Sequence, residues 1–437
     1  MKEIPMFPNN VPIPLPGGLH GPLPRFIEVG QKLSTETVED LDATIAQEFA
    51  KFSHIDLKGK TIAVGIGSRG IKPQAAVVHA LLRELKAVGA EPFIFPAMGS
   101  HGGGSAEGQE GVLAEYGYTE AAYGVPVKAS MDVVQVGALE DNTPIYCDKI
   151  AYGADFIIPV NRVKPHTSFR GTYESGLCKM LAIGVSKHAG AAALHFHGFA
   201  HFHHLIPEAA QVSLDNTNVL FGVGMVENSF EDLRTVEFAS PENYLERDAA
   251  LQELAKASIP QLLIKDIDVL IVDQIGKNIS GAGMDPNVTG RCGAGMPGFD
   301  KGLRIGRVVI RDLTDKTQGN ASGMGTADVT TQRMLKKIDW KKTYTNMVTA
   351  GVINGGKLPI VADTDRDAFG IAVRGCPGVS TEKARIVRVR NTLELTTIWV
   401  SETLLPAIEN DPQFVIKSEP FELDFDADNA LQGEIKL

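Results

Sequence analysis

The 437-residue sequence predicts an α/β fold of two domains with mainly parallel sheets and an active-site cleft between them. Three observations carry this. Short apolar, β-branched runs alternate with segments whose apolar residues recur at helical spacing, the pattern that builds parallel βαβ units. Polar, glycine-containing loops follow one such run after another. The chain also exceeds the length that a single hydrophobic core ordinarily serves.

Taken in order, residues 1–25 are rich in proline and glycine and read as an extended arm laid on the surface. TIAVGIG, from Thr61, reads as a strand, SRGIKP as a turn and QAAVVHALLRELKAVG as a helix ending on glycine. EPFIFPAMG repeats the strand, SHGGGSAEGQ the loop and EGVLAEYGY the helix; ADFIIPVNRVKPH is a third strand running into a loop. SGLCKMLAIGVSKHAG then leads by a strand or turn into a helix that carries ALHFHGFAHFHH. A second register begins near Ile264, with IKDIDVLIVDQIG and RIGRVVIRDL as strands, each followed by a glycine-rich loop. TADVTTQRMLKKI and WKKTYTNMVTAG have helical patterning, while KLPIVADT and ARIVRVRNTLELTTIWVS are strand-like. The expected domains are therefore 1–262, a catalytic domain, and 263–437, a domain closing over the substrate and ending in an acidic tail from Asp411.

A formal charge of -11 gives no basic face for nucleic acid or anionic lipid. Four cysteines with no CxxC pair suggest neither a disulfide framework nor a zinc ribbon. The start MKEIPMFPNN lacks the apolar run of a signal peptide, and no stretch has the length of a membrane span. These features point to a cytoplasmic protein with a small-molecule substrate.

In a parallel sheet, functional groups gather in the loops beyond the strands' carboxyl ends. Three such loops carry Ser68 and Arg69, then His101, then Lys164 and His166. His101, in MGSHGGGS, is either functional or a cap on the next helix. In VNRVKPHTSFRG, Arg162, Lys164 and Arg170 surround His166 with charge suited to phosphate or carboxylate, or form an exposed basic loop. Lys179 sits among apolar and small residues in SGLCKMLAIG, where a lysine either snorkels outward or is desolvated and reactive. His197, His201 and His204 fall at i, i+4 and i+7, a spacing at which three imidazoles could bind a transition metal, although Gly198 weakens the helix. Asp273, Asn278, Asp285, Asn287 and Arg291 either line a pocket or belong to surface loops.

The order of these residues resembles the nickel-dependent lactate racemase family. It comprises an SR loop after a strand, GSHGG with His101, Pro165-His166, Lys179 thirteen residues on, and His195 sixteen beyond that. The similarity is strongest between Ile62 and His204. It implies a two-domain α/β racemase or epimerase of 2-hydroxy acids that uses a nickel-pincer nucleotide. By this resemblance His101 and His166 are the catalytic pair, Lys179 the covalent tether and His195 the nickel ligand. Ser68, Arg69, Lys164 and Arg170 would hold the cofactor, and enzymes of cofactor biosynthesis are expected partners. The lactate enzymes carry a Tyr-Gln pair and a following lysine in the second domain's first loop, where this chain reads NVTGRCG. Arg291 and Lys277 are the expected substrate-binding substitutes, and a larger or more acidic hydroxy acid than lactate is expected. Two rival readings are a hydro-lyase or metal-dependent epimerase using the same histidines without the pincer, and a nickel-binding protein using residues 195–204.

Overall fold

A computed structural model describes Pro8, residues 11–67 and residues 73–436. The chain forms two compact units, one from Ser34–Ile259 and one from the described parts of Met1–Leu33 and Pro260–Leu437. Each is an α/β unit. Against the expected division, the segment up to Leu33 belongs with the C-terminal residues. Among the described residues, no helix is long and apolar enough to cross a membrane.

The strands, in chain order, are β1 (Phe26–Gln31), β2 (Thr61–Ile66), β3 (Glu91–Pro96), β4 (Val133–Ala138), β5 (Pro144–Asp148), β6 (Phe156–Arg162), β7 (Gly222–Glu227), β8 (Leu233–Ala239), β9 (Asp266–Ile275), β10 (Arg304–Leu313), β11 (Val329–Thr331), β12 (Ile360–Ala362), β13 (Ile386–Val389), β14 (Thr397–Ser401) and β15 (Phe414–Ile416).

In the Ser34–Ile259 unit the sheet order is β3-β2-β6-β7-β8, parallel except for the β7–β8 hairpin, and β4 and β5 form a separate antiparallel pair. The alternation of side chains across a strand explains why β2, β3 and β6 read as uninterrupted apolar runs. Ile62, Val64 and Ile66 pack with Ile94, Ile158 and Val160 on one face, beneath Val77, Leu81 and Leu85 of helix Gln74–Ala87. Ala63, Phe93, Phe95 and Ile157 occupy the other face with Leu181, Leu205 and Ile206. Each such fully buried aliphatic side chain contributes roughly 1.5–3 kcal/mol.

The other unit has the order β12-β11-β10-β9-β13-β14-β1-β15. β12 through β13 run parallel, and β14, β1 and β15 alternate in direction. The stretch TADVTTQRMLKKI, expected to be one helix, divides into β11 and the short helix Gln332–Leu335. The β-branched Val329, Thr330 and Thr331 extend beside β10, and the Thr331 hydroxyl then caps the helix at Met334. Acidic though it is, the tail packs back: β15 pairs with β1, and the Leu431 N–H and carbonyl bond to Asp365 and Arg311.

Candidate active site

The carboxyl ends of β3, β2 and β6 lie side by side, so the loops that follow them leave one edge of the sheet. His101 follows β3, and Lys164 and His166 follow β6. Ser68 and Arg69 lie outside the described residues.

The loop carrying His166 is organised by one buried carboxylate. Glu174 accepts from the His166 backbone N–H at 2.8 Å, Arg170 Nη1 at 3.1 Å and the Gly171 N–H at 3.3 Å, with Lys256 Nζ at 3.3 Å. Ser175 ties the loop's ends together, accepting from the Lys164 N–H at 2.8 Å and donating to the Lys164 carbonyl at 2.6 Å. Arg170 thus braces Glu174. Burial pushes the Glu227 carboxyl up, and the nearby charges of Arg162, at 2.6 Å, and Lys164 pull it back. The Ser168 N–H lies 3.0 Å from His166 Nδ1, which assigns the neutral ring's proton to Nε2.

Lys179 closes the short helix Leu177–Lys179. Its first N–H groups are held by the fully buried Asp248, with Leu177 N–H donating to Oδ1 and Cys178 N–H to Oδ2, each at 2.9 Å. Burial pushes the Asp248 carboxyl up to about 6, against the opposing pull of these backbone hydrogen bonds. Gly176 must be glycine, because its φ is 106° and a Cβ there would collide with Asp248 Oδ1. A π-helix, Met180–Val185, continues from Lys179. Such widened turns recur at functional sites.

An aromatic cluster gathers three of the expected site residues. Lys179 Nζ stands 5.4 Å from the centre of the Phe169 ring, which packs against His166 at 4.4 Å and Phe202 at 5.3 Å. Phe199 lies 5.9 Å from His166 and 6.0 Å from His195, and Phe202 lies 5.0 Å from His195. His195 keeps an exposed rim. Burial of the rest of its ring lowers its pKa, its bond to the Ala191 carbonyl opposes this, and the neighbouring Lys179 charge lowers it further. Lys179 and His195 therefore sense each other.

His101 is exposed, in a turn bonded to the same segment. The Gly99 N–H donates to the Gly184 carbonyl in the π-helix at 3.1 Å, and Gln109 Nε2 donates to the Gly99 and His101 carbonyls at 2.9 and 3.2 Å. Gly102, Gly103 and Gly104 all have positive φ, and a Cβ at Gly102 would press on the backbone of Gly108 and Gln109.

The three-histidine face expected at 197, 201 and 204 does not form as a continuous helix. Helix Lys187–His195 ends before Gly198, whose φ of 77° turns the chain before Phe199–His201 and helix Phe202–Asn216 begin. His197 Nε2 instead meets the Thr143 hydroxyl at 2.9 Å. Among the described residues no three His, Cys, Asp or Glu side chains converge as a metal cage.

In the C-terminal unit, Lys277 Nζ donates to the Gly281 carbonyl at 2.8 Å. Arg291 donates to Asp328 at 2.6 Å and to the carbonyls of Thr326, Ile305 and Gly306, so its guanidinium braces local backbone. Asp273 is buried beneath two arginines: it accepts from Arg311 Nη1 at 2.8 Å and from Arg388 Nη2 at 2.9 Å.

Sequence reasoning missed Glu174 and Asp248, although both shape the loops described above. Arg170 and Glu174, opposite charges four residues apart, gave a weak local signal. Asp248 gave none, because it comes from a helix some seventy residues beyond its partners.

The lactate racemase N-terminal domain family matches residues 37–204. No curated protein matches. Among solved structures, the lactate racemase apoprotein from Thermoanaerobacterium thermosaccharolyticum is similar with a TM-score of 0.52 at 12% identity, over 85% of this chain and 99% of that one. A protein from Thermotoga maritima has a TM-score of 0.48 at 15% identity, over 81% of this chain and 97% of that one. The domain match covers the strand-end loops, Lys179 and His195, and the fold agrees with that of the apoprotein; residues 37–204 match the lactate racemase N-terminal domain family.

Proposed function

We propose that this protein is an isomerase that racemises or epimerises a 2-hydroxy carboxylate, with a nickel-pincer nucleotide tethered at Lys179 and its nickel bound by His195. The observation that carries the reading is the convergence of Lys179, His166 and His195 on Phe169, Phe199 and Phe202, with the His101 turn bonded to the helix that continues from Lys179.

The residues present fit such a group. His195 Nδ1 lies 2.6 Å from the Ala191 carbonyl, so Nδ1 donates and Nε2 retains the lone pair that a nickel ion needs. One imidazole is enough where a bound group brings the remaining donors. Lys179 supplies an amine beside it, whereas the next lysine, Lys187, is fully buried against Asp148. When bound, the nickel-pincer nucleotide supplies a reversible acceptor for the substrate's C2 hydride, which no side chain provides.

The chain's own residues manage the proton and the carboxylate. His101, on its glycine-rich turn, takes the hydroxyl proton as base. With Ser168 donating to Nδ1, the neutral His166 ring holds its Nε2–H as a hydrogen-bond donor to the substrate oxygen, and His101 returns the proton it took when the product hydroxyl re-forms, in either direction. Lys164, together with Arg69, supplies positive charge for the phosphate or carboxylate, while Arg170 keeps the His166 loop in place through Glu174.

Intact-mass analysis after co-expression with the cofactor's biosynthetic enzymes should show an adduct that Lys179→Ala abolishes. A screen of chiral 2-hydroxy acids should then reveal racemisation, with deuterium at C2 retained in the product. Wash-out of that deuterium would favour a carbanion route such as that of a hydro-lyase. Absence of both adduct and racemisation would end the proposal.

A further inference from the structure

We propose that Lys187 is a positioning residue for His101, acting through Gln109. This rests on the catalytic reading of His101 given above. Lys187 is fully buried, and its backbone φ of 56° lies in the left-handed region that a side chain rarely adopts. Something must hold both in place. Its ammonium reaches three oxygens: the Pro96 carbonyl at the end of β3 at 2.7 Å, Gln109 Oε1 at 2.9 Å and Asp148 Oδ2 at 3.1 Å. Two hydrogen bonds and one ion pair thus surround the ammonium and oppose the cost of burying it.

The geometry leads in one direction. Gln109, itself fully buried, receives the ammonium on its oxygen, which commits its amide nitrogen to donate. That nitrogen bonds the Gly99 and His101 carbonyls, on either side of the turn that presents the imidazole. Lys187 also grips the residue from which this turn departs. Asp148 completes the set, its other oxygen accepting from the Ile150 and Ala151 N–H groups at 2.8 and 2.9 Å. Without the lysine the Gln109 oxygen would lose its donor and only the Gly99 and His101 carbonyls would hold the amide, so the glycine-rich turn, exposed at His101, would rest on a looser base.

The test compares Gln109→Leu, which leaves the Lys187–Asp148 pair intact, with Lys187→Met. Amide hydrogen exchange at residues 99–104 and the His101 ring resonance in ¹⁵N-histidine-labelled protein, assigned with His101→Gln, need no substrate. Both variants are expected to speed exchange in that turn more than tenfold and to shift or broaden the His101 signal, while exchange in β2 and β6 stays within twofold. On cofactor-loaded enzyme, kcat should fall tenfold or more with KM within about threefold. Should Lys187→Met fail to fold, Gln109→Leu alone decides. An unchanged His101 signal and unchanged exchange at 99–104 in folded Gln109→Leu would overturn the proposal. A wild-type enzyme with no racemisation would count against the function and leave these two readouts to decide the role of Lys187.

Discussion

His195 Nδ1 lies 2.6 Å from the carbonyl oxygen of Ala191, one turn earlier in its helix, whereas His166 Nδ1 faces the Ser168 N–H at 3.0 Å. The two contacts assign opposite tautomers to two rings that share Phe199. One ring keeps a lone pair on Nε2 and the other a proton.

His195→Ala is therefore expected to abolish nickel retention and racemisation. Replacing His197, His201 and His204 together should leave nickel stoichiometry unchanged, because those rings share no single helical face. Metal analysis of the purified proteins checks both outcomes. Nickel lost from the triple variant but kept by His195→Ala would reverse the assignment.

Gly176→Ala should destabilise the Ser34–Ile259 unit by roughly 2–4 kcal/mol, because it combines a φ reserved for glycine with a collision against Asp248. Urea unfolding measures this. A change below about 0.5 kcal/mol would mean that the turn before Lys179 is not built as described.

Asp248 makes stability depend on pH in a particular sense. Its folded pKa, pushed up to about 6 by burial, lies above the ordinary carboxyl value, so the folded state holds the proton more tightly. Its contribution is present below about pH 4 and is lost as pH rises through 6, in total about 3 kcal/mol. Asp248→Asn removes that dependence but also weakens the cap on the Leu177 and Cys178 N–H groups, at a cost of about 1–3 kcal/mol. The variant should be less stable than wild type at pH 4, with the gap narrowing or inverting by pH 7. Melting temperatures across that range give the comparison, and a gap that widens with pH would contradict it.

Asp273→Ala leaves the Arg311 and Arg388 guanidiniums without the carboxylate they share, which should destabilise the C-terminal unit by about 3–5 kcal/mol. Faster hydrogen exchange should accompany this at Leu431 and Gly433, whose carbonyls the same arginines hold. If exchange there stayed at the wild-type rate, the tail would be anchored by something else.

Much of this architecture is legible in the chain. β2, β3 and β6 are buried on both faces, so their apolar runs are unbroken, and the loops after β3 and β6 mark His101 and His166 by position alone. Lys179 and His195 stand out by order and resemblance. The bracing does not, because Lys187 with Gln109, and Asp248 with Leu177, are contacts across some seventy residues or more. β1 was missed for the same reason: FIEVGQ follows a proline-rich arm, and its partner β14 lies some 370 residues away. In TADVTTQRML, helical spacing of a few apolar residues hid the local preference of Val329 and Thr330 for extended backbone.

The position of β1 between β14 and β15 has a consequence for biosynthesis. A nascent chain halted before residue 397 would hold β1 with both of its edges unpaired, while Ser34–Ile259, contiguous in sequence, would have everything it needs to fold on emerging from the ribosome. β1 must wait for β14 and β15, and a cell producing this protein has to keep that waiting edge from pairing with anything else.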